Sequence, residues 1–443
     1  MSRRTEFRPT VVPFPAKQVG ETKSRWGWVE PCVWTDRMLT ALDTGVKGGQ
    51  WFSLIDKAYR RQNLFAAFRK VAANGGAAGV DHVSIERFEE GLLPNLKTLS
   101  DQLQNGTYRP QEIRRQYIPK PGSKELRPLG IPTVRGRVVQ TALRNVLEPI
   151  FERDFAEQSY GFRPGRGCKD ALARVDTLLK NGYTHVVDAD LKSYFDTIPH
   201  DRLMALIENK ISDGRVLELI RMFLKQQVLD DLSIRVPEKG SPQGAVISPL
   251  LSNIYLDPLD HLMAGQGFEM IRYADDFVIL CRTHEDADRA LAVVQQWTAQ
   301  AGLTLHPDKT HIVEATEGAF DFLGYTFSCG YRYPREKSLR KLKDIIRRKT
   351  KRRNGDSLQV TIAQLNPTLR GWFEYFKHSQ PRTFEPIDGW IRMRLRTILR
   401  RRHKRKGRGV GWDHFRWKNA YFAERGLYSL QQAHVSACQP SSR

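Results

Sequence analysis

Two adjacent aspartates, Asp275 and Asp276, separate two apolar runs in the segment MIRYADDFVILC at 270–281. This pattern predicts a hairpin whose tip carries both carboxylates near solvent, because buried carboxylates without a partner are costly. Adjacent carboxylates tolerate each other only when a cation neutralises them. Magnesium takes oxygen ligands from carboxylates, phosphates and water, so the pair is suited to hold a divalent ion against a phosphate.

A third acid, Asp190, ends a predicted strand in the segment VVDADLKSYFD. Strand alternation places Asp188 and Asp190 on the same face of that strand. Three carboxylates from two strand segments can hold two metal ions, and two ions ~3.5–4 Å apart stabilise both the attacking and the leaving oxygen of a phosphoryl transfer. The Asp-Asp dipeptide alone is more typical of a solvated turn, so the remaining sequence has to decide between these interpretations.

The composition favours a nucleic-acid partner. The chain has 443 residues, and 71 Lys plus Arg against 49 Asp plus Glu give a net charge of +22. So large a basic excess on a folded chain points to a polyanion. The five cysteines are scattered without a CxxC pair, which argues against a disulfide framework or a Cys-rich zinc site and suits a reducing cytoplasm. The sequence shows neither a secretory signal nor a membrane-spanning apolar run.

Helical and strand patterns mix without a regular βαβ rhythm, which predicts an α+β fold. Residues 1–50 are rich in Pro, Gly and Trp, and we interpret them as a loose or partner-dependent arm. Residues 51–107 show a mostly helical pattern, whereas residues 108–330 mix strands and helices. The pattern of residues 331–443 predicts a region of basic helices.

These motifs resemble a known family. YADD between apolar strands resembles the central motif of reverse transcriptases, and other blocks occur in the family's order: RPLGIPTVRGRVVQTAL, SYGFRPGRGCKDAL, DADLKSYFDTIPH, GSPQGAVISPLLSNIYL, GLTLHPDKT and FDFLGYTF. LNPTLRGWFEYFK resembles the maturase (X or thumb) domain of group II intron-encoded proteins. The segment 51–90 resembles the family's N-terminal extension and block zero. The resemblance implies a right-hand polymerase, with fingers and an antiparallel palm sheet plus helices, followed by an all-α thumb.

The resemblance also implies roles for individual residues. Asp190, Asp275 and Asp276 match the catalytic metal-binding aspartates, and Leu191 matches the residue that lends a backbone carbonyl to a metal. The implied cofactor is Mg²⁺, two per active site, with Mn²⁺ as an alternative ion. The positions that match the family's nucleotide-binding residues are Lys120, Arg127, Phe195, Gln243 and Lys309. Among them, Phe195 matches the steric gate against a ribose 2′-hydroxyl.

Two dense basic runs occur near the end of the chain. A solvated charged surface is the usual interpretation of such runs. We favour contact with a duplex or structured RNA instead, because self-repulsion this dense is relieved by a polyanion, and such binding is steeply salt-dependent. Asn366, followed by Pro367, also predicts a helix start between these runs. The expected RNA-binding residues are Arg347, Arg348, Lys349, Lys351, Arg352, Arg353, Arg400, Arg401, Arg402, Lys404, Arg405 and Lys406.

The implied function is that of an RNA-directed DNA polymerase that binds group II intron RNA, assists its splicing and copies it into DNA during intron mobility. The implied partners are the intron RNA, an RNA template with a DNA primer, dNTPs and target DNA, with no membrane, in the bacterial cytosol or nucleoid. No HNH pattern follows the maturase segment, so we expect no built-in endonuclease. Three alternatives stay open: a domesticated polymerase in repair or defence, a non-polymerising splicing factor, and a retron-type enzyme.

Overall fold

The structure is a computed structural model that describes residues 25–46, 48–119, 126–230, 233–352 and 355–438. Helices and small sheets mix in these ranges, which confirms the α+β prediction. Of the helices in these ranges, none combines the length and the apolar character that crossing a bilayer requires.

A helical layer packs around one long helix, α6, Val134–Glu152. Residues on nearly every side of α6 are buried, and Thr133 caps it by accepting a hydrogen bond from the Gly136 N–H at 3.1 Å. Since α6 is enclosed, its neighbours share one continuous core with it. The preceding helices are α1 (Asp36–Thr44), α2 (Ile55–Tyr59), α3 (Arg61–Asn74), α4 (Ile85–Glu90) and α5 (Leu92–Asn105).

The prediction of a loose N-terminal arm is wrong for the part of it that the structure describes. Trp26, Val33 and Trp34 are buried in the same core as α6. The Trp34 indole N–H also donates a hydrogen bond to the Asn145 carbonyl oxygen at 2.9 Å. Irregularly spaced tryptophans produce no periodic signal, yet each buries a large apolar area against an existing core.

The central sheet positions the predicted acids. Its strand order is β6-β7-β3-β8, and every neighbouring pair is antiparallel. One face packs on helices of the main core, and the other face packs on α7 and a second, smaller sheet. The strands are β3 (His185–Asp190), β6 (Glu269–Tyr273), β7 (Asp276–Cys281) and β8 (His311–Glu314). The helices are α7 (Cys168–Lys180), α8 (Tyr194–Thr197), α9 (His200–Glu208), α10 (Gly214–Leu224), α11 (Ser248–Gly265) and α12 (His284–Gln300).

Two further sheets flank the central one. The outer sheet has the order β2-β1-β4-β5, in which β1 and β4 are parallel and the other pairs are antiparallel. Its strands are β1 (Ile113–Pro119), β2 (Leu126–Ile131), β4 (Val228–Asp230) and β5 (Ser233–Arg235). The junction sheet is antiparallel, with strands β9 (Ala319–Phe322), β10 (Tyr325–Ser328) and β11 (Tyr331–Pro334). Because β11 belongs to this sheet, the segment predicted to be all helical from residue 331 begins with a strand.

The C-terminal bundle follows β11 and has its own apolar core. The predicted helix start at Asn366 is wrong, because the helix begins at Leu358, capped by Ser357, and contains Pro367 in its interior. Asn366 instead holds a later segment, with its side chain bonded to the Gly426 carbonyl and the Tyr428 N–H. The bundle helices are α13 (Glu336–Lys349), α14 (Leu358–Phe376), α15 (Phe384–Arg402), α16 (Asp413–Arg416), α17 (Asn419–Ala423) and α18 (Leu430–Cys438), with a 3₁₀ turn at Pro381–Thr383.

Replacing Trp34 tests whether the N-terminal segment belongs to the core. Trp34 is 2% exposed, so we expect Trp34→Ala to lower the free energy of unfolding by ~3–5 kcal/mol, the usual cost of removing a buried aromatic side chain. Urea denaturation followed by circular dichroism measures this loss. Trp412→Ala is the matched control, because Trp412 is 84% exposed and should change the midpoint little. Equal midpoints for the two variants would contradict the packing.

Candidate active site

The central sheet gathers the three predicted aspartates at the end of its middle strands. The antiparallel register of β3 and β7 pairs Asp190 directly with Asp276. Tyr273 pairs with Asp276 across the β6–β7 hairpin, which leaves Ala274 and Asp275 at its two-residue tip. Directly opposed residues have their Cβ atoms ~4.5–5.5 Å apart on the same face of a sheet. Two aspartates from different strands therefore face each other, and the third adjoins them.

The carboxylates at this end of the sheet repel one another in a half-buried environment. Burial, followed by repulsion from Asp188 and the other nearby acids, raises the pKa of the Asp276 carboxyl to about 7. Burial and then repulsion from Asp190 also raise the pKa of Asp275. Burial is again the main cause that raises the pKa of Asp188, to about 6. Full ionisation of the cluster is thus unfavourable without added positive charge.

Lys309 supplies part of that positive charge. Its ammonium lies 2.5 Å from an Asp190 carboxylate oxygen. The segment that carries Lys309 is tied to the same strand end, because the His306 N–H donates to the Asp190 carbonyl at 2.7 Å and the Lys192 N–H donates to the Thr304 carbonyl at 2.8 Å. The Lys309 ammonium therefore lies beside the acids. Its predicted contact with a nucleotide phosphate requires this position.

The donor set fits a hard divalent cation. The three aspartates offer only carboxylate oxygens, and their mutual repulsion is the kind that a divalent ion relieves. Across the described ranges, no group of three or more His, Cys, Asp or Glu side chains lies together in a way that would hold a metal ion by itself. An open arrangement suits magnesium, which usually keeps water ligands and binds through one or two carboxylates plus substrate phosphates. Leu191, predicted to offer its carbonyl, is buried next to Asp190 and bridges to Leu305.

The remaining nucleotide-binding candidates come from the outer sheet and two loops. Arg127 is exposed on β2 and close enough to Asp275 to oppose the rise in its pKa. The Gln243 carbonyl accepts a hydrogen bond from the Gly130 N–H at 2.6 Å, which joins the SPQG loop to β2. Phe195 is half-buried, with its ring 5.4 Å from the Tyr194 ring, and its carbonyl accepts from the Ser241 N–H at 2.6 Å. Lys120 lies outside the described residues.

The predicted RNA-binding cations divide into exposed and internally bonded groups. Lys349 donates to the Gln364 carbonyl and to Thr368, and Arg400 donates to Asp413 and to the Lys406 carbonyl, so both stabilise the bundle itself. Arg402 bonds the Asp356 carbonyl, and Arg347 pairs with Asp344 at 2.6 Å, although both side chains are exposed. Arg353 lies outside the described residues. The other exposed members are Arg348, Lys351, Arg352, Arg401, Lys404, Arg405 and Lys406.

Two sequence families match the chain. The family described as Reverse transcriptase (RNA-dependent DNA polymerase) matches residues 118–327, which contain all three aspartates. The family described as Group II intron, maturase-specific domain, matches residues 339–419, which form most of the C-terminal bundle. The chain belongs to the group II intron reverse transcriptases. We therefore refer to the central sheet with its helices as the palm, to the outer sheet as part of the fingers, and to the C-terminal bundle as the thumb.

Individual relatives agree with this assignment. Protein YkfC of Escherichia coli (strain K12) is 36% identical over 303 residues, which cover 59% of this chain and 79% of YkfC. Group II intron-encoded protein LtrA of Lactococcus lactis subsp. cremoris is 40% identical over 198 residues, 44% of this chain and 32% of LtrA. The match thus spans about a third of the length of LtrA. A telomerase structure from Candida albicans aligns with a TM-score of 0.40 at 14% identity, over 70% of this chain and 62% of the telomerase, a similarity too low to support any argument.

The structure adds a buried network that the motif analysis missed. Arg272, next to the YADD tip, is fully buried and forms an ion pair with the equally buried Asp260 on α11. The Arg272 guanidinium also donates to the Asn253 side-chain oxygen at 3.0 Å and to the Ala274 carbonyl at 2.8 Å. Ala274 has a φ of 61°, a conformation that non-glycine residues rarely adopt. Arg272 therefore fixes the tip in this strained form, and an arginine inside an apolar strand is the sequence signal for such a partner.

Gly161 packs directly against the backbone of the same hairpin tip. The Asn253 amide donates to the Gly161 carbonyl at 2.8 Å, so the network reaches this residue. A Cβ built on Gly161 would lie 2.2 Å from the Ala274 nitrogen, a distance that real structures do not contain. Only glycine can therefore occupy position 161 while the hairpin tip stays where it is.

We expect Gly161→Ala to displace the hairpin tip and reduce polymerase activity at least ~100-fold, because a misplacement of about 1 Å at a catalytic centre can cost that much. Primer extension measures the loss, and circular dichroism reports whether the fold persists. Gly214→Ala is the matched control, since a Cβ there meets nothing within 4 Å. Full activity in a folded Gly161→Ala variant would show that the close approach does not position the site.

Proposed function

We propose that this chain is an RNA-directed DNA polymerase whose chemistry depends on Asp190, Asp275 and Asp276. The observation that carries the proposal is the pairing of Asp190 with Asp276 across β3 and β7, with Asp275 at the adjoining tip. Three mutually repelling carboxylates at a half-buried strand end are unfavourable for stability alone. Their arrangement is explained if divalent ions and a nucleotide triphosphate complete the site.

In the proposed reaction the 3′-hydroxyl of a primer attacks the α-phosphate of a dNTP. A new bond forms between the 3′-oxygen and the α-phosphorus, and the hydroxyl proton passes to water. The bond from the α-phosphorus to the oxygen that bridges to the β-phosphate breaks, and pyrophosphate leaves. Two Mg²⁺ ions, with Mn²⁺ as an alternative, would supply electrostatic stabilisation of the attacking and leaving oxygens when bound. Asp190, Asp275, Asp276 and the Leu191 carbonyl would hold them.

Residues of the fingers, together with Lys309 beside Asp190, would hold the triphosphate. Arg127 suits a bidentate phosphate contact, whereas Lys309 acts as a point charge that can leave Asp190 for a phosphate when the acids are neutralised. Gln243, in a loop bonded to β2, would contact the nucleotide from the side of the fingers. Lys120 would complete this set. Most of the acceleration would come from positioning and electrostatics, since the phosphoryl transfer itself needs little covalent help from the protein.

We further propose that the thumb and its basic surface bind group II intron RNA, assist its splicing, and hold the RNA–DNA hybrid or target DNA during copying. The maturase-specific match at 339–419 supports this part of the proposal, as does the exposure of most of its cations. The junction sheet ends at Pro334, so we place the start of the thumb after that residue.

The first test replaces both acids of the YADD motif. Asp275→Ala with Asp276→Ala should reduce dNTP incorporation on a primed RNA template at least ~1,000-fold, because metal-ion stabilisation supplies several kcal/mol. Removal of mutually repelling carboxylates should leave the fold intact, so RNA binding should persist. Mg²⁺ should raise the melting temperature of the unaltered protein and not that of the variant. A wild-type protein that binds RNA without extending primers would replace the polymerase proposal with a splicing factor.

The second test concerns sugar selection by Phe195. Loss of the ring in Phe195→Ala should open space for a 2′-hydroxyl, so the preference for dNTP over rNTP should fall by ~10-fold or more. Ratios of kcat/KM for the two nucleotides provide the measurement. Phe195→Tyr keeps a ring of at least equal size and should retain the preference. An unchanged ratio in an active Phe195→Ala variant would rule out the steric role.

A further inference from the structure

Two large aromatic side chains lie exposed on the thumb, outside the polymerase site. Trp412 is 84% exposed and Phe415 is 71% exposed, and their ring centroids are 5.6 Å apart. Both belong to the short segment around α16, directly after the second basic run. Exposed aromatic pairs of this kind leave their ring faces open for contact with a ligand.

Buried contacts fix the backbone that presents these rings. Asp413 is 1% exposed and accepts a hydrogen bond from Arg400 at 2.8 Å. The Gly409 N–H donates to Thr397 at 2.9 Å, and Trp417 packs into the core of the bundle. Residues on both sides of the two rings are therefore anchored to α15. The rings point outward because of this backbone path, so the backbone that carries them needs little ordering when a ligand binds, which favours affinity.

The surrounding charge selects a polyanion. Between residues 401 and 418 the chain carries eight Lys or Arg side chains, all exposed. The only acid in that range is Asp413, which is buried and paired with Arg400. Aromatic rings beside a dense positive surface are the features by which proteins bind single-stranded nucleic acid, since bases stack on the rings while cations contact the backbone.

We infer that Trp412 and Phe415 form a stacking platform for unpaired bases of a structured RNA, with the neighbouring cations bound to its phosphates. A duplex hides its base faces within the stack, so the template–primer hybrid is a poor occupant for two open rings. A loop or bulge offers those faces. The inference rests on the proposed binding of intron RNA by the thumb, and it adds recognition of unpaired regions at a place separate from the three aspartates.

The test compares two RNAs in binding to the full chain. One is a hairpin RNA with an unpaired loop, and the other is a fully paired RNA duplex of the same length. Trp412→Ala with Phe415→Ala should weaken binding of the hairpin about tenfold or more, the usual effect of removing stacking side chains, and should change duplex binding less than about twofold. The conservative pair Trp412→Phe with Phe415→Tyr keeps both rings and should restore hairpin binding. Leu93→Ala, at another exposed apolar position, should have no effect.

The other possible outcomes test the stacking role as well. Equal loss for the hairpin and the duplex would overturn the stacking role, and so would no loss for either RNA. Binding to anionic phosphatidylglycerol vesicles that depends on the same two rings, without an effect on the hairpin, would assign the surface to lipid and overturn the inference. If the unaltered protein extends no primer but its hairpin binding still depends on the rings, the polymerase proposal fails and this inference stands.

Discussion

The register between β3 and β7 is the constraint on which the rest of the molecule depends. It places Asp190 opposite Asp276, and a shift by one residue would turn the Asp190 side chain to the other face of the sheet. The pairing also places the Asp190 carboxylate among the neighbouring acids that, after burial, raise the pKa of Asp276. Apolar cores on both faces of the central sheet oppose such a shift, because any slip would expose buried side chains on one face and bury acids on the other.

Two residues close to the same acids have a strained backbone. Ser193, in the turn after β3, has a φ of 50°, and Ala274, at the hairpin tip, has a φ of 61°. Strained backbone persists only where the surroundings hold it, and it clusters at functional sites. The Arg272 network holds the Ala274 turn from within the core. On the opposite side, the Gly240 N–H bonds to the Ile198 carbonyl, which fixes the SPQG loop against the turn that carries Phe195. The two strained turns are thus supported by different elements of the fold.

The sequence predicted the parts of the structure that depend on local pattern. The apolar runs around YADD predicted the hairpin, and the mixture of helical and strand patterns predicted the α+β class and the helical C-terminal region. The missed parts depend on contacts between distant residues. Trp34 bonds to a residue 111 positions away, so its burial left no trace in local periodicity. Asn366 has the residue type of a helix cap, yet its side chain is used to hold the segment around Tyr428. The partner of Arg272 lies on another element, which no strand pattern identifies.

The connection between palm and thumb determines how RNA bound to the thumb relates to the active site. Arg332 on β11 pairs with Asp176 of α7 at 2.6 Å and donates to the His378 carbonyl at 2.8 Å. Phe376 of α14 packs in the same core as the junction sheet. The thumb is therefore attached to the palm through an aromatic contact and a shared arginine, and it also has a separate core of its own. Because Trp417 belongs to that same core, an RNA held at the neighbouring rings would be bound by the body that contacts the palm, through residues other than the three aspartates.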